Sequence, residues 1–193
     1  MRALFGFVMF LVASISSAQF DGTMMDMRYG PFAMLQRQEI RKELKLSKEQ
    51  IKQADLIIKG LSKATESGNA VVTSLKKVDD DLMALLDEKQ KERFFQIQIQ
   101  AKGGTALSDP QVAAKLEMTD DQKSEVKKVR KAAQNRLLDE VRKGSRDNKL
   151  MEIISKAEEK ELLAILSAGQ REALVKLAGE VFKGARMKGM WPI

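Results

Sequence analysis

The side chains that most often do chemistry are missing from this chain. It contains no histidine and no cysteine. Histidine is the usual general base near neutral pH and the commonest metal ligand. Without either residue, catalytic triads, zinc sites and haem sites lose their normal parts. Carboxylate, serine and lysine chemistry remains, but no spacing arranges it. Asp79-Asp80-Asp81 is the densest acidic run. Consecutive helical residues point in different directions, so it reads as a solvated face rather than a calcium site. Gly103-Gly104 has no strand before it and no GK[ST] after it, so it is not a phosphate loop. The sequence predicts a protein that is not an enzyme, with no cofactor and no metal site.

What does recur is a short pattern that starts helices. The copies are Leu46-Ser47-Lys48-Glu49-Gln50, Leu86-Asp87-Glu88-Lys89-Gln90, Met118-Thr119-Asp120-Asp121-Gln122 and Leu166-Ser167-Ala168-Gly169-Gln170. Each has an apolar residue, then Ser, Thr or Asp, then Gln three places on. This is the capping box: the first side chain accepts from the free N–H at N3, and the Gln reaches back to the cap's own N–H. Losing a cap typically costs ~1 kcal/mol. The predicted helix-cap residues are therefore Leu46, Ser47, Gln50, Leu86, Asp87, Gln90, Met118, Thr119, Gln122, Leu166, Ser167 and Gln170.

Apolar residues recur around these boxes at steps of three and four. Ile51, Ala54, Ile58 and Leu61 form one stripe, and Val71, Leu75, Val78, Leu82 and Leu85 a second. Phe94, Phe95, Ile97 and Ile99 follow Asp87, and Gly103 ends that helix. Pro110 opens a short helix with Val112 and Leu116. Val126, Val129, Ala133, Leu137 and Val141 line the longest helix, which Gly144 stops. Leu150, Ile154, Ala157, Leu162 and Ile165 line the next. Leu174, Leu177, Val181 and Phe182 line the last. Beside these helices, no separate strand with an alternating pattern remains. The predicted fold is all-α, built from antiparallel helical hairpins in two similar halves.

The duplication is legible in register. Ile40-x-x-x-Leu44-x-Leu46-Ser47-x-x-Gln50 matches Val112-x-x-x-Leu116-x-Met118-Thr119-x-x-Gln122, and the run Leu82 to Glu92 matches Leu162 to Glu172. The second offset is longer, so the halves differ by an insertion. The predicted organisation is a signal peptide at 1–18, a flexible N-terminal tail at 19–38, half-repeats at 39–109 and 110–184, and a flexible tail at 185–193. The signal rests on Arg2, the short apolar run from Ala3 to Ala13, and the small residues Ser16-Ser17-Ala18 before the cleavage point. That run is well short of the ~20 apolar residues a spanning helix needs. The expected location is across the inner membrane, in the periplasm, with no integral membrane segment after cleavage.

The formal charge is +7, or +6 once Arg2 leaves with the signal. Export argues against a nucleic-acid partner, and so does the scarcity of aromatics: only Tyr29 and Trp191 join the eight Phe. A basic face for acidic or unfolded partners remains open. Lys123, Lys127, Lys128, Arg130 and Lys131 are the candidate client-binding residues, although mixed charges on a helix also serve to keep it solvated.

An exported, Cys-free helical chain with several [LM]-[ST]-x-x-Q boxes resembles the Spy/CpxP family, known for LTxxQ motifs. Met118-Thr119-Asp120-Asp121-Gln122 is the best copy, and Asp87 departs at the cap. The resemblance spans Ile40 to Phe182. It implies an ATP-independent periplasmic chaperone or envelope-stress adaptor that binds unfolded clients. Members of that family are small hairpins with two boxes, which dimerise into a curved cradle with a basic, partly apolar concave face. This chain carries four boxes, so one chain is expected to resemble the two-subunit cradle. Some members bind zinc, which the absence of His and Cys disfavours here. The alternative expectation is a non-catalytic structural or regulatory module that docks on one specific envelope protein.

Overall fold

A computed structural model describes residues 29–66, 71–144 and 147–184. The predicted signal peptide, the first part of the predicted N-terminal tail, the expected break at Gly68-Asn69 and the predicted C-terminal tail at 185–193 lie outside the described residues. Within them the fold is all-α, with no strand.

The chain opens with α1 (Pro31–Met34) and α2 (Gln38–Glu43). Pro31 begins α1, where its fixed φ suits a helix and its missing N–H is not needed. The long helices α3 (Lys48–Glu66) and α4 (Val71–Ala84) follow and pack on each other. Next come α5 (Glu88–Lys102), a 3-10 stretch (Gly103–Ser108) and α6 (Pro110–Lys115). Gly103 ends α5 at φ 54°, as its residue type predicts. The long pair α7 (Asp120–Arg142) and α8 (Asn148–Ala164) pack together, and α9 (Ala168–Ala178) lies against α5.

Two apolar clusters hold this arrangement. The first joins Ile40, Leu44, Ala54, Leu61, Leu82 and Leu86 with Phe94, Ile97 and Ala101 of α5. The second joins Val112, Leu116, Met118, Val126, Leu162, Leu166 and Leu174 with Ile99 of α5. Helix α5 serves both. Its Phe94, Ile97 and Ala101 recur at steps of three and four and form one face. Phe95 and Ile99, four apart, form the opposite face and pack with the second cluster. The sequence Phe-Phe-Gln-Ile-Gln-Ile-Gln from 94 to 100 alternates like a strand. It is helical because apolar neighbours flank it on two sides.

Three sequence expectations need correction. Residues 29–38 are not a tail. Met34 and Leu35 are 2% and 1% exposed in the first cluster. They are held because Phe32 N–H donates to Asp79 and Gln98 donates to the Tyr29 carbonyl. The last helix does not run through Val181 and Phe182. It stops at Ala178, and Gly179 turns the chain at φ 66° and ψ −157°, a combination that is essentially glycine-only. The two clusters cross the 109/110 boundary: Ile99, Ala106 and Leu107 belong to the second cluster, while Phe182 returns to the first. Finally, Asp79-Asp80-Asp81 is not uniformly solvated. Asp80 and Asp81 are ion-paired with Lys76 and Lys77 one turn away, whereas Asp79 turns inward to the N-terminal end of α1.

Candidate functional site

Each of the boxes caps its helix as predicted. Ser47 Oγ accepts from Gln50 N–H at 3.1 Å and Gln50 Oε1 accepts from Ser47 N–H at 2.9 Å. The corresponding distances are 2.8 and 3.0 Å for Asp87 and Gln90. They are 3.2 and 3.0 Å for Thr119 and Gln122, and again 3.2 and 3.0 Å for Ser167 and Gln170. Asp87 therefore substitutes fully for a hydroxyl cap. The apolar leaders Leu86, Met118 and Leu166 are buried, and Leu46 packs against the first cluster.

The boxes also join in pairs. Gln50 Nε2 donates to Gln90 Oε1 at 2.7 Å and to the Leu85 carbonyl at 2.7 Å. Gln90 Nε2 donates to Gln50 Oε1 at 3.2 Å and to the Leu44 carbonyl at 3.2 Å. Gln122 and Gln170 repeat this: Gln122 donates to Gln170 and Ile165, and Gln170 donates to Gln122 and Leu116, all within 2.7–3.1 Å. Both amide protons and both lone pairs of every one of these glutamines are thus used. Leu44 matches Leu116, and Leu85 matches Ile165, in the register of the sequence duplication.

The chain entering the first box of each pair also repeats. Lys45 and Glu117 adopt φ 51° and 49°. Leu46 N–H returns to the Arg41 carbonyl and Lys45 N–H to Lys42; Met118 returns to Ala113 and Glu117 to Ala114. This is the Schellman ending, with a non-glycine residue in the left-handed position. No glycine marks either position.

The candidate client-binding residues lie on α7 but do not form one free basic face. Lys123, Lys127 and Lys131 run along one side at four-residue steps and are exposed. Lys123 is paired with Asp120 and Lys128 with Glu125, both at 3.0 Å. Arg130 leans on α8, with Glu158 at 3.8 Å. Exposed pairs of this kind stabilise by only ~0–1 kcal/mol.

A third edge of α5 escaped the sequence reading. Arg93, Gln96 and Gln100 follow one another at steps of three and four, between the two apolar faces. Arg93 is paired with Glu43 at 2.5 Å, and its Nη1 donates to the Glu180 carbonyl at 2.8 Å. Gln100, only 9% exposed, donates to the carbonyls of Ala178 and Glu180 at 2.6 and 2.8 Å. Its Oε1 accepts from Phe182 N–H at 2.8 Å. These bonds hold residues 179–183, a strap without regular secondary structure. The i, i+3, i+7 spacing of Arg93, Gln96 and Gln100 was the only signal for this edge.

Two partly buried carboxyls are pushed up. Burial pushes Asp79 up, against the pull of its bond from Phe32 N–H, and neighbouring Asp80 adds to the rise. Burial also pushes Glu159 up, opposed by a bond from Gly104 N–H. Its Oε1 is buried with no hydrogen-bond partner among the described residues. No group of three or more acidic residues is placed to hold a metal among the described residues. No helix among them is long and apolar enough to cross a membrane. No family model matches this chain, and neither a curated protein nor a solved structure matches it.

Proposed function

We propose that this is an exported, ATP-independent chaperone-like protein or envelope-stress adaptor of the periplasm. It holds unfolded clients through a basic, partly apolar helical surface, and no bond is made or broken. One observation carries this reading. All the glutamines of the boxes that resemble LTxxQ motifs are consumed in tying helix starts together. The motif thus builds a scaffold and leaves the outer surfaces of the helices free to work. Its use in two matched pairs supports a chain whose two portions stand where two subunits stand in the Spy/CpxP cradle.

On such a surface, Lys123, Lys127 and Lys131 attract acidic, partly unfolded chains over distances on the order of the ~10 Å Debye length. Exposed Leu56, Ile153 and Val175 offer apolar contacts. Weak contacts at several points slow aggregation and still let a client fold. The test is suppression of aggregation of a denatured substrate at near-equal molar ratio without nucleotide. No effect at several-fold excess, together with one stoichiometric partner captured from envelope extract, would replace this reading with a dedicated docking module. Small-angle scattering should give a cradle-sized single chain; an obligate dimer with a cradle in each subunit would remove the two-portion assignment.

A further inference from the structure

Every polar contact between α5 and the strap is to the strap's main chain. Gln100 uses both ends of its amide to read alternate residues, the carbonyls of 178 and 180 and the N–H of 182. Arg93 reads the 180 carbonyl a second time. Of the strap's side chains, Glu180, Val181 and Lys183 face solvent, Val181 at 54% exposed. Only Phe182 is buried, at 7%, in the first cluster. Such a seat asks little of sequence: an irregular backbone segment and one large apolar side chain at the right place. That chemistry is common to segments of unfolded proteins.

Simple opening of the strap is disfavoured. It would leave Gln100 and Arg93 with unpaired polar atoms beside an apolar hole, and buried polar groups without partners are costly. Replacement by a second segment with the same groups avoids that cost. The strap competes from within the chain, where a short tether gives an effective concentration on the order of millimolar.

We propose that Arg93, Gln100 and the pocket holding Phe182 form a docking site for a segment of an unfolded protein bearing one large apolar side chain. The strap is its resident competitor. The assignment rests on the client-binding reading above, but takes a site away from the α7 cluster.

The test uses the full chain and a fluorescent synthetic peptide of residues 178–184. Gly179→Ala strains the turn that delivers the strap, because φ there is 66° and a Cβ would meet the Gln96 side chain at 2.5 Å. It displaces the end of the Gln96 side chain, which accepts from Arg93 Nη1 at 2.9 Å, but leaves Gln100 and the Phe182 pocket in place. Anisotropy should show the peptide binding the Gly179→Ala protein about tenfold more tightly than the wild type, as removal of an internal competitor requires. Adding Gln100→Leu should abolish that gain, as should a peptide with Ser in place of Phe. Where Gly179→Ala fails to fold by circular dichroism, Phe182→Ala vacates the pocket from the strap side and should show the same gain. Equal affinity for wild type and variant, or binding that survives Gln100→Leu, overturns the assignment. A Gly179→Ala protein that dimerises by exchanging straps and takes up no peptide also overturns it, with a second copy as the occupant. Aggregation suppression measured on the same proteins separates the two readings. Suppression without peptide uptake removes the docking site alone. Peptide uptake without suppression removes the chaperone reading alone.

Discussion

Gln50 and Gln90, 40 residues apart, donate to each other's side-chain oxygen at 2.7 and 3.2 Å while each also caps its own helix. Gln122 and Gln170 do the same across 48 residues. A capping box alone accepts Glu or Gln at this position. The paired box accepts only Gln, because the second amide proton is needed by a carbonyl on the partner's approach.

Gln122→Glu should therefore destabilise the fold by about 1–3 kcal/mol, since it turns a donor into a charge beside the Ile165 carbonyl. In a double-mutant cycle by urea unfolding, Gln122→Ala and Gln170→Ala should couple by about 0.5–3 kcal/mol. Gln122→Ala and Gln50→Ala, from different pairs, should add to within about 0.5 kcal/mol. Equal coupling in both cycles would show that the glutamine bonds do not define the pairs.

Lys45 and Glu117 hold left-handed φ with an exposed side chain. A non-glycine residue there costs about 1–2 kcal/mol, of which about 0.5–1 is offset by glycine's greater freedom in the unfolded chain. Lys45→Gly and Glu117→Gly should each stabilise by about 0.5–1 kcal/mol in thermal or urea unfolding. A loss of stability in both would mean that the two side chains hold contacts worth more than the backbone strain.

Two glycines should respond in opposite directions to alanine. A Cβ on Gly104 would lie 3.2–3.3 Å from the Glu159 backbone and Leu162 Cβ, where neither side can yield without moving α8. Gly104→Ala should cost about 1–3 kcal/mol. A Cβ on Gly60, inside α3, meets nothing within 4 Å, and Gly60→Ala should stabilise by about 0.5–1 kcal/mol. Differential scanning calorimetry of the two variants would show one melting point fall and the other rise.

Asp79 titrates above 3.8 in the fold, chiefly because burial disfavours its charge. Between 3.8 and its raised value, the folded protein binds this proton more strongly than the unfolded chain. Stability from this group is therefore full at low pH and is lost as pH rises through that window. Asp79→Asn keeps an oxygen for the Phe32 N–H and removes the charge. It should be more stable than the wild type at pH 7, with the difference vanishing below pH 3.8. Urea midpoints across pH read this directly. Glu159, raised from 4.5 by the same cause, adds a slope of the same sign.

The helix starts were legible because a capping box is closed by residues three apart, all visible in one short window. Ser47, Asp87, Thr119 and Ser167 needed no tertiary partner to be identified, and neither did the all-α class, since the apolar stripes have the helical period. The repeated sequence pattern also supplied the register in which Leu44 matches Leu116, whose carbonyls accept from Gln90 and Gln170. The basic run on α7 was less so: charge and spacing located it, but the sequence could not show that Arg130 leans on α8.

What the tertiary structure alone decided is which distant groups meet. The pairing of Gln50 with Gln90 rather than with Gln122 depends on how helices pack, and no local pattern encodes it. Met34 and Leu35 looked like part of a loose terminus until Asp79 and Gln98 were seen to hold the backbone around them. The strap was hidden for the same reason. Gln100 satisfies main-chain groups 78 to 82 residues away, and main-chain groups are alike in every residue, so the sequence carries no mark of them.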